Sequence, residues 1–202
     1  MKYDGVLFDM DGTVLDTLMD LYNAVAETME RFDQPPVSVR QVRSFLGCGA
    51  ARLIRRCMPD AAPERQEEAI AFYKPYYAAH CRIETRPYEG IVPLMERLKA
   101  AGVKLAIISN KPDGAVKELA EVFFPGLITQ AIGERPDIKC KPDPAAVLGA
   151  AKLLGLESSR CVYVGDSEVD VQTARNAKMD CVAVTWGFRD EPELIAAGAE
   201  VP

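Results

Sequence analysis

The strongest constraint on the fold of this chain is an acidic turn that directly follows a short apolar run. Residues 6–8 predict a buried strand, and Asp9, Asp11 and Gly12 come next. If the backbone stays extended through Met10, the two carboxylates point to the same side of the strand. Carboxylates that approach each other out of water need a shared proton or cation. Asp-Gly is also a common turn dipeptide, so an ordinary surface turn is the competing interpretation.

Strand-like and helix-like segments alternate along most of the chain. Apolar runs at 103–108, 127–132, 161–164 and 181–184 predict further strands, and helical patterns separate them. Such alternation is typical of right-handed crossovers and of a parallel sheet with helices on both faces. We therefore predict an α/β fold, a doubly wound parallel sheet with a Rossmann-like core.

One connection is too long for a simple crossover. The first predicted strand ends at residue 8 and the second begins at residue 103, whereas a crossover needs only about 10–12 residues. The intervening sequence has helical periodicity, with a capping box predicted to begin at Thr17 and another helix predicted to start at Ser38. We predict an inserted helical cap domain at 17–82 and a core domain of 1–16 and 83–202. Because the insertion follows the acidic turn, the cap is expected to lie over the strand ends.

Composition excludes several classes of protein. The 202 residues are 49% hydrophobic and carry a formal net charge of -6, which is typical of a globular protein with no nucleic-acid partner. No apolar run approaches the ~20 residues that span a bilayer. We therefore expect no membrane segment, and because the first strand follows Met1 closely we expect no signal peptide. Cysteines that lie in apolar runs fit a reduced, cytoplasmic location. The cysteines lack zinc-site spacing. A monomer is the default expectation, with a dimer left open.

Polar residues follow the later strands as well. Ser109 and Asn110 follow the second strand, Lys141 lies between the third strand and a helix, and Asp166 follows the fourth. Ligands of open parallel sheets bind at these strand ends. Carboxylates suit Mg²⁺, a serine and a lysine can hold phosphate, and one aspartate is left to act as a nucleophile. Each residue alone also fits a helix cap or a solvated loop. Together with the acidic turn they predict Mg²⁺-dependent phosphoryl transfer.

These segments resemble, in order and spacing, the four motifs of the haloacid-dehalogenase superfamily of phosphatases. The segments are the acidic turn that ends at Asp16, Ser109-Asn110-Lys111, Lys141-Pro142-Asp143-Pro144 and Gly165-Asp166-Ser167-Glu168-Val169-Asp170. The helical insertion is similar to the C1 cap of that superfamily. An acid at the position of Asp11 is similar to the phosphotransferases and not to the dehalogenases.

The resemblance implies a role for each matching residue. Asp9 is the implied nucleophile, with its other oxygen on Mg²⁺, and Asp11 is the implied acid and base, with its backbone carbonyl on the metal. The remaining implied roles are Asp166 as a metal ligand, Asp170 and Thr13 as its support, Ser109 and Lys141 as catalytic phosphate ligands, and Asn110 as a substrate-binding residue.

Within the superfamily the chain is similar to the phosphoglycolate phosphatases, in the Leu46-Gly47-Cys48-Gly49 turn, in 85–90 and in Ser109-Asn110-Lys111-Pro112. The implied activity is hydrolysis of a small phosphorylated metabolite through an aspartyl-phosphate. Inorganic pyrophosphatases, nucleotide phosphatases and phosphosugar mutases of the β-phosphoglucomutase type share the motifs and remain alternatives. Asp11 and the cap argue against a signalling receiver, and the presence of all the catalytic positions argues against a pure binding module. The superfamily usually continues past 197–199, so a trimmed C-terminal end is expected.

Arginines of the predicted cap give one hypothesis about substrate selection. Arg52, Arg55 and Arg56 share one face of a predicted helix. A basic face in an acidic chain can bind the carboxylate of a phosphorylated acid, so Arg52 is a candidate substrate-binding residue. A solvated helix face is the competing interpretation.

Overall fold

A five-stranded parallel sheet in the order β5-β4-β1-β6-β7 forms the centre of the computed structural model, which describes residues 2–199. A separate two-stranded sheet pairs β2 with β3. In chain order the elements are β1 (Gly5–Phe8), β2 (Leu15–Asp16), α1 (Leu18–Arg31), α2 (Val39–Phe45), α3 (Ala50–Cys57), α4 (Pro63–His80), β3 (Arg86–Pro87), α5 (Ile91–Ala100), β4 (Lys104–Pro112), α6 (Asp113–Phe123), β5 (Gln130–Glu134), α7 (Ala145–Leu153), β6 (Cys161–Gly165), α8 (Glu168–Ala177), β7 (Asp180–Ala183) and α9 (Glu191–Ala196).

Strand β1 occupies the middle of the large sheet. Phe8 at its end pairs with Ile107 of β4 on one side and with Val164 of β6 on the other, both in parallel. The chain continues outward from β4 to β5 and from β6 to β7. The strand order therefore reverses at β1, and such a reversal point is where ligands of doubly wound sheets bind.

Side chains of β1 alternate between two apolar layers. Val6 and Phe8 belong to one layer together with Met95 of α5, whereas Leu7 packs in the other with Val147 of α7. This is the period of two that a strand buried on both faces shows. The predicted α/β, doubly wound parallel sheet is confirmed.

Helices α1 to α4, together called the helical segment, lie between β2 and β3 in the chain. Helix α4 packs against α1 and α3. The small antiparallel sheet pairs Leu15 with Pro87 and Asp16 with Arg86, so the outgoing and returning chains are joined where they leave the core. We had not predicted this sheet, because strands of two residues show no hydrophobic period. The exact division into two domains stays a prediction.

The predictions for the starts of α1 and α2 have different outcomes. The predicted helix start at Ser38 is confirmed, and Ser38 also caps α2, since its side chain accepts a hydrogen bond from the third helical residue. The capping box at Thr17 is wrong. The Thr17 hydroxyl instead donates to Asp11 Oδ1 at 2.7 Å, and Asp20 accepts hydrogen bonds from residues 83–85. Both polar groups are buried and are used in tertiary contacts rather than at the helix end.

Two other features differ from the predictions, and one prediction concerns residues that the structure does not describe. Strand β5 starts at Gln130 and not at 127, because Leu127 and Ile128 pack against the apolar layer as part of the preceding loop. Helix α9 was not predicted. The expectation of a trimmed end concerns 200–202, which lie outside the described residues. Within 2–199, the structure contains no helix whose length and apolar character would let it cross a membrane.

Candidate active site

Lys141 lies at the centre of a buried acidic cluster at the C-terminal end of β1. Its ammonium group contacts Asp9 Oδ1 and Asp170 Oδ1, each at 2.8 Å, and the hydroxyl of Tyr163 at 3.0 Å. Asp9 directly follows β1, and its Oδ1 also accepts the backbone N–H of Met10 at 2.7 Å. Two fixed donors on one oxygen hold the Asp9 carboxylate in a single orientation.

Asp170 holds Lys141 from the first turn of α8. Its Oδ2 accepts the backbone N–H and the hydroxyl of Ser167, at 3.1 and 2.6 Å, while its Oδ1 accepts from Lys141 and, at 3.3 Å, from Tyr163. The Asp170 side chain is fully buried. Both of its oxygens therefore already bind protein donors, an arrangement that suits a supporting residue.

Asp166 sits in a tight cradle of backbone after β6. Its Oδ2 accepts the N–H of Phe188 at 2.6 Å, and its Oδ1 accepts the hydroxyl of Thr13 at 3.3 Å. A Cβ atom at Gly12 or at Gly187 would overlap this carboxylate, and Gly12 has a φ of +82°. Glycine is thus required at Gly12 both for its left-handed conformation and for the close approach to Asp166.

The cluster carries more negative than positive charge. Burial raises the pKa of Asp9 to about 7, and the Asp170 charge adds to this effect although Lys141 opposes it. Burial, together with Asp170 and Asp9, also raises the pKa of Asp166 well above its usual value. Burial alone would lower the pKa of Lys141, but the charges of Asp170 and Asp9 raise it well above the ordinary value. Lys141 therefore stays cationic, and the acids retain a demand for protons or a cation.

These acids fit a metal ion. Oxygen atoms of Asp9, Asp166 and Asp170 all lie within 4.8 Å of one another. Because Lys141 supplies one positive charge against these buried acids, a divalent cation would balance the charge that remains. Carboxylate oxygens suit a hard cation such as Mg²⁺. Both oxygens of Asp170 bind protein donors, whereas the two contacts described for Asp9 are both to Oδ1 and leave its Oδ2 to offer. The oxygens of Asp166 already accept from Phe188 and Thr13, so its part as a metal ligand stays a prediction.

Asp11 lines the same pocket and contacts the helical segment through Thr17 and Lys111. Its Oδ1 accepts the Thr17 hydroxyl and lies 2.9 Å from the ammonium of Lys111. Lys111 in turn donates to the hydroxyl of Tyr77 on α4. The structure therefore brings both acids of the sequence motif into one pocket, although they have different partners.

Ser109 and Asn110 lie within β4, past residue 108 where the strand was predicted to end, and both line the pocket. The Asn110 amide donates to the carbonyls of Gly47 and Lys141, at 3.0 Å each, and its oxygen accepts the N–H of Lys141 at 2.8 Å. These contacts fix the backbone of Lys141 and attach the turn before α3 to the core. The role of Asn110 in substrate binding stays a prediction.

Arg52 lies away from the pocket. It is exposed and borders a shallow hollow on the helical segment with Phe45, Arg55 and Arg56. Arg55 pairs with Glu67, and Arg56 donates to the carbonyl of Phe45. The structure does not bring Arg52 together with the other candidate residues, and its role in substrate binding remains untested.

Sequence reasoning missed Arg189, a buried residue between β7 and α9 that lines the pocket. Its guanidinium binds Glu168 at 2.7 Å and donates to the carbonyls of Arg43 and Leu46, at 3.3 and 2.8 Å. Arg43 reaches back to the carbonyl of Gly187 at 3.0 Å. Applying the strand-end rule to the fifth strand as well would have drawn attention to this segment.

The fold and the site together define a hydrolase built on a parallel α/β sheet, with buried acids and a lysine beneath a helical segment. Residues 6–184 match the haloacid dehalogenase-like hydrolase family. The chain belongs to this family, and it is a phosphatase.

Individual relatives extend the comparison. Phosphoglycolate phosphatase 1 of Pseudomonas aeruginosa is 36% identical over 191 residues, which cover 91% of this chain and 70% of the relative. The N-acetylmuramic acid 6-phosphate phosphatase of the same organism is 32% identical, with 93% and 84% covered. A crystal structure from Lactobacillus delbrueckii subsp. bulgaricus, provisionally assigned as a phosphoglycolate phosphatase, superimposes with a TM-score of 0.95 at 39% identity over 100% of this chain and 94% of that one.

Proposed function

We propose that the chain is a Mg²⁺-dependent phosphomonoester hydrolase that acts on phosphoglycolate through an aspartyl-phosphate intermediate. The observation that carries the proposal is the contact of Lys141 with both Asp9 and Asp170 in a buried cluster. A lysine fixed in this way orients the Asp9 carboxylate and leaves a positive charge where a phosphate would enter. The relatives named as phosphoglycolate phosphatases support the choice of substrate.

In this mechanism Asp9 attacks phosphorus while Asp11 gives a proton to the departing ester oxygen. Asp11 then takes a proton from the water that hydrolyses the aspartyl-phosphate. Ser109 donates a hydrogen bond to a phosphate oxygen, and the charge of Lys141, whose donors are held by Asp9, Asp170 and Tyr163, attracts the phosphate. The burial of both side chains strengthens these interactions, because competing water is scarce in the pocket.

Asp9, Asp166 and the backbone carbonyl of Asp11 would hold the Mg²⁺ ion, with Asp170 and Thr13 in support. When bound, the ion would neutralise charge on the phosphate and on the acids around it. The cradle around Asp166, which excludes any side chain at Gly12, supports this assignment.

The helical segment is proposed to act as a cap, with a domain division at 17–82 against 1–16 and 83–202. Support comes from the pocket itself, which has core residues such as Ser109 on one wall and helical-segment residues such as Leu53 and Tyr77 on the other. Closure of such a cap would exclude water from the first chemical step.

The test is phosphate release in Mg²⁺ from phosphoglycolate, pyrophosphate, a nucleoside monophosphate and a hexose phosphate. We expect phosphoglycolate to have the highest kcat/KM and Asp9→Asn to lower kcat by at least about 10³-fold. Asp60→Asn, at an exposed position of the helical segment, is the matched control and should leave the rate unchanged. Acid-quenched wild-type protein should retain ³²P from labelled substrate, whereas Asp9→Asn should not.

Each alternative gives its own result. Preferred turnover of pyrophosphate or a nucleotide would keep the role of Asp9 and contradict the substrate. Phosphoryl return to a sugar, without stoichiometric release of phosphate, would favour a mutase. A folded wild-type protein that is inert on the whole panel would refute the proposed function.

A further inference from the structure

Lys111 is a buried lysine on the pocket wall that faces the helical segment, and the mechanism above does not use it. It lies in β4, immediately after Ser109 and Asn110, and its side chain is 2% exposed. Its ammonium group lies 2.9 Å from Asp11 Oδ1 and 4.2 Å from the ring centre of Tyr77, whose hydroxyl it also contacts. Burial of an ammonium group is unfavourable unless partners compensate, so this position suggests a function.

The other cations of the pocket are more fully occupied. Lys141 is held between two carboxylates, and Arg189 is bound by Glu168 and by backbone carbonyls. Among residues 2–199, Lys111 contacts a single carboxylate, that of Asp11, and the neutral hydroxyl of Tyr77. An ammonium group has three donors. One donor therefore remains for a ligand in the pocket.

The apolar residues that line the pocket favour the binding of an anion by the ammonium group of Lys111. Leu21, Leu53 and Tyr73 line the pocket beside it, and the exposed Arg52 lies outside. A carboxylate that enters an apolar wall needs a charged partner there, because its hydration is lost. Lys111 is the lysine that lines this part of the pocket and contacts the helical segment through Tyr77.

The distance between Lys111 and Asp11 determines which anion fits. The proposed function, on which this inference rests, places the ester oxygen of the substrate beside Asp11. In a 2-phosphooxy carboxylic acid the carboxyl carbon is only two bonds from that oxygen. An ammonium group 2.9 Å from Asp11 Oδ1 can therefore bind Asp11 and such a carboxylate together.

We propose that Lys111 is the specificity-determining residue of this site and binds the carboxylate of a 2-phosphooxy carboxylic acid. Tyr77 holds the ammonium group in place from the helical segment, so this recognition requires core and helical segment together. No covalent step is assigned to Lys111.

The test compares phosphoglycolate with ethyl phosphate, which replaces the carboxylate by a methyl group on the same ester carbon. Lys111→Met keeps the side-chain length and removes the charge. We expect kcat/KM for phosphoglycolate to fall about 10- to 100-fold relative to ethyl phosphate, because bonds between charged groups contribute that much, with most of the change in KM. Lys111→Arg should recover part of the preference. Lys117→Met, at an exposed position of α6, is the matched control and should keep the wild-type ratio.

The outcomes separate this inference from the proposed function. An equal loss on both esters would show that Lys111 only supports Asp11, and it would overturn the inference, as would a wild-type enzyme with no preference for phosphoglycolate. Either result leaves the proposed chemistry intact if Asp9→Asn abolishes turnover. No phosphate release by the wild type from either ester would overturn both. If Lys111→Met does not fold, as judged by circular dichroism, Lys111→Gln replaces it with the same expected ratio.

Discussion

Asp20 joins the first turn of α1 to the chain that returns from the helical segment, and its replacement by asparagine should destabilise the protein strongly. The side chain is 2% exposed. Its Oδ2 accepts the N–H of Ile83 and of Thr85, at 3.0 Å each, and the Thr85 hydroxyl at 2.8 Å. Its Oδ1 accepts the N–H of Glu84 at 2.9 Å. One carboxylate thus satisfies a complete set of backbone donors.

The size of the effect follows from these contacts. An asparagine side chain at this position would keep one acceptor oxygen and direct an NH₂ group toward at least one backbone N–H that now points at Asp20. Hydrogen bonds to a charged group contribute about 1.5–3 kcal/mol, and a buried donor left without a partner costs about 1–3 kcal/mol. Because the amide can rotate and keep some of the bonds, we expect Asp20→Asn to lower the free energy of unfolding by about 2–4 kcal/mol.

Urea unfolding at pH 7, followed by circular dichroism, measures this loss. The dependence on urea should keep its slope, since the area exposed on unfolding is unchanged. Asp60→Asn, on the exposed surface of the helical segment, should stay within about 0.5 kcal/mol of the wild type. Amide exchange at 83–85 should accelerate in Asp20→Asn and not in the control. A loss below about 1 kcal/mol would refute the reasoning, because it would mean that water replaces the carboxylate at little cost.

Other predictions concern the buried charges and thiols. Arg189→Ala should lower the free energy of unfolding by about 2–4 kcal/mol, because carbonyls and a carboxylate lose a charged donor; a change within about 0.5 kcal/mol in urea, the scatter of surface substitutions, would contradict this. Burial raises the pKa of Asp9 to about 7, so the stability that this group contributes is complete below its unfolded pKa of about 4 and is lost as the pH rises through 7. Without divalent cations, the unfolding free energy of Asp9→Asn should therefore rise relative to that of the wild type between pH 5 and pH 8. A difference between the two proteins that stays constant over this range would contradict the argument. Burial also raises the pKa of Cys57 to about 12, so mass spectrometry should find the exposed Cys140 alkylated well before Cys57 in native protein at pH 8.

The sequence predicted the core strands, because each contains a short apolar run, but not all of their ends: β4, predicted to end at residue 108, continues to Pro112. Asp9, Ser109 and Asp166 come from separate strands, and the parallel sheet brings them to one edge. The order of the motifs and the alternation of strands and helices were sufficient for the fold class. These residues meet because of the strand order: β1 lies between β4, which contains Ser109, and β6, which ends directly before Asp166.

Side-chain partners across elements were much harder to predict. Helical periodicity shows that Arg52 shares a face with other arginines, but it does not show whether that face meets the pocket or the solvent. Thr17 and Asp20 have the spacing of a capping box, yet each side chain instead makes a hydrogen bond to a residue outside the helix, Thr17 to Asp11 and Asp20 to Thr85. The sequence shows Lys111 only as a member of the Ser109-Asn110-Lys111 motif. Its contact with Tyr77 could not be predicted, because the two residues are 34 positions apart in the chain.

The segment after β7 connects the acidic cluster to the helical segment, so the two parts of the site depend on each other. Phe188 donates its N–H to Asp166, and the next residue, Arg189, donates to the carbonyls of Arg43 and Leu46 in the helical segment. A motion that lifts the helical segment from the core has to break the hydrogen bonds of Arg189 to Arg43 and Leu46. The N–H of Phe188, the residue before Arg189, is then no longer next to a fixed residue. We therefore expect such a motion to loosen the hydrogen bond that holds Asp166. If the helical segment acts as the proposed cap, we expect its closure and the placement of Asp166 to be coupled through Phe188 and Arg189.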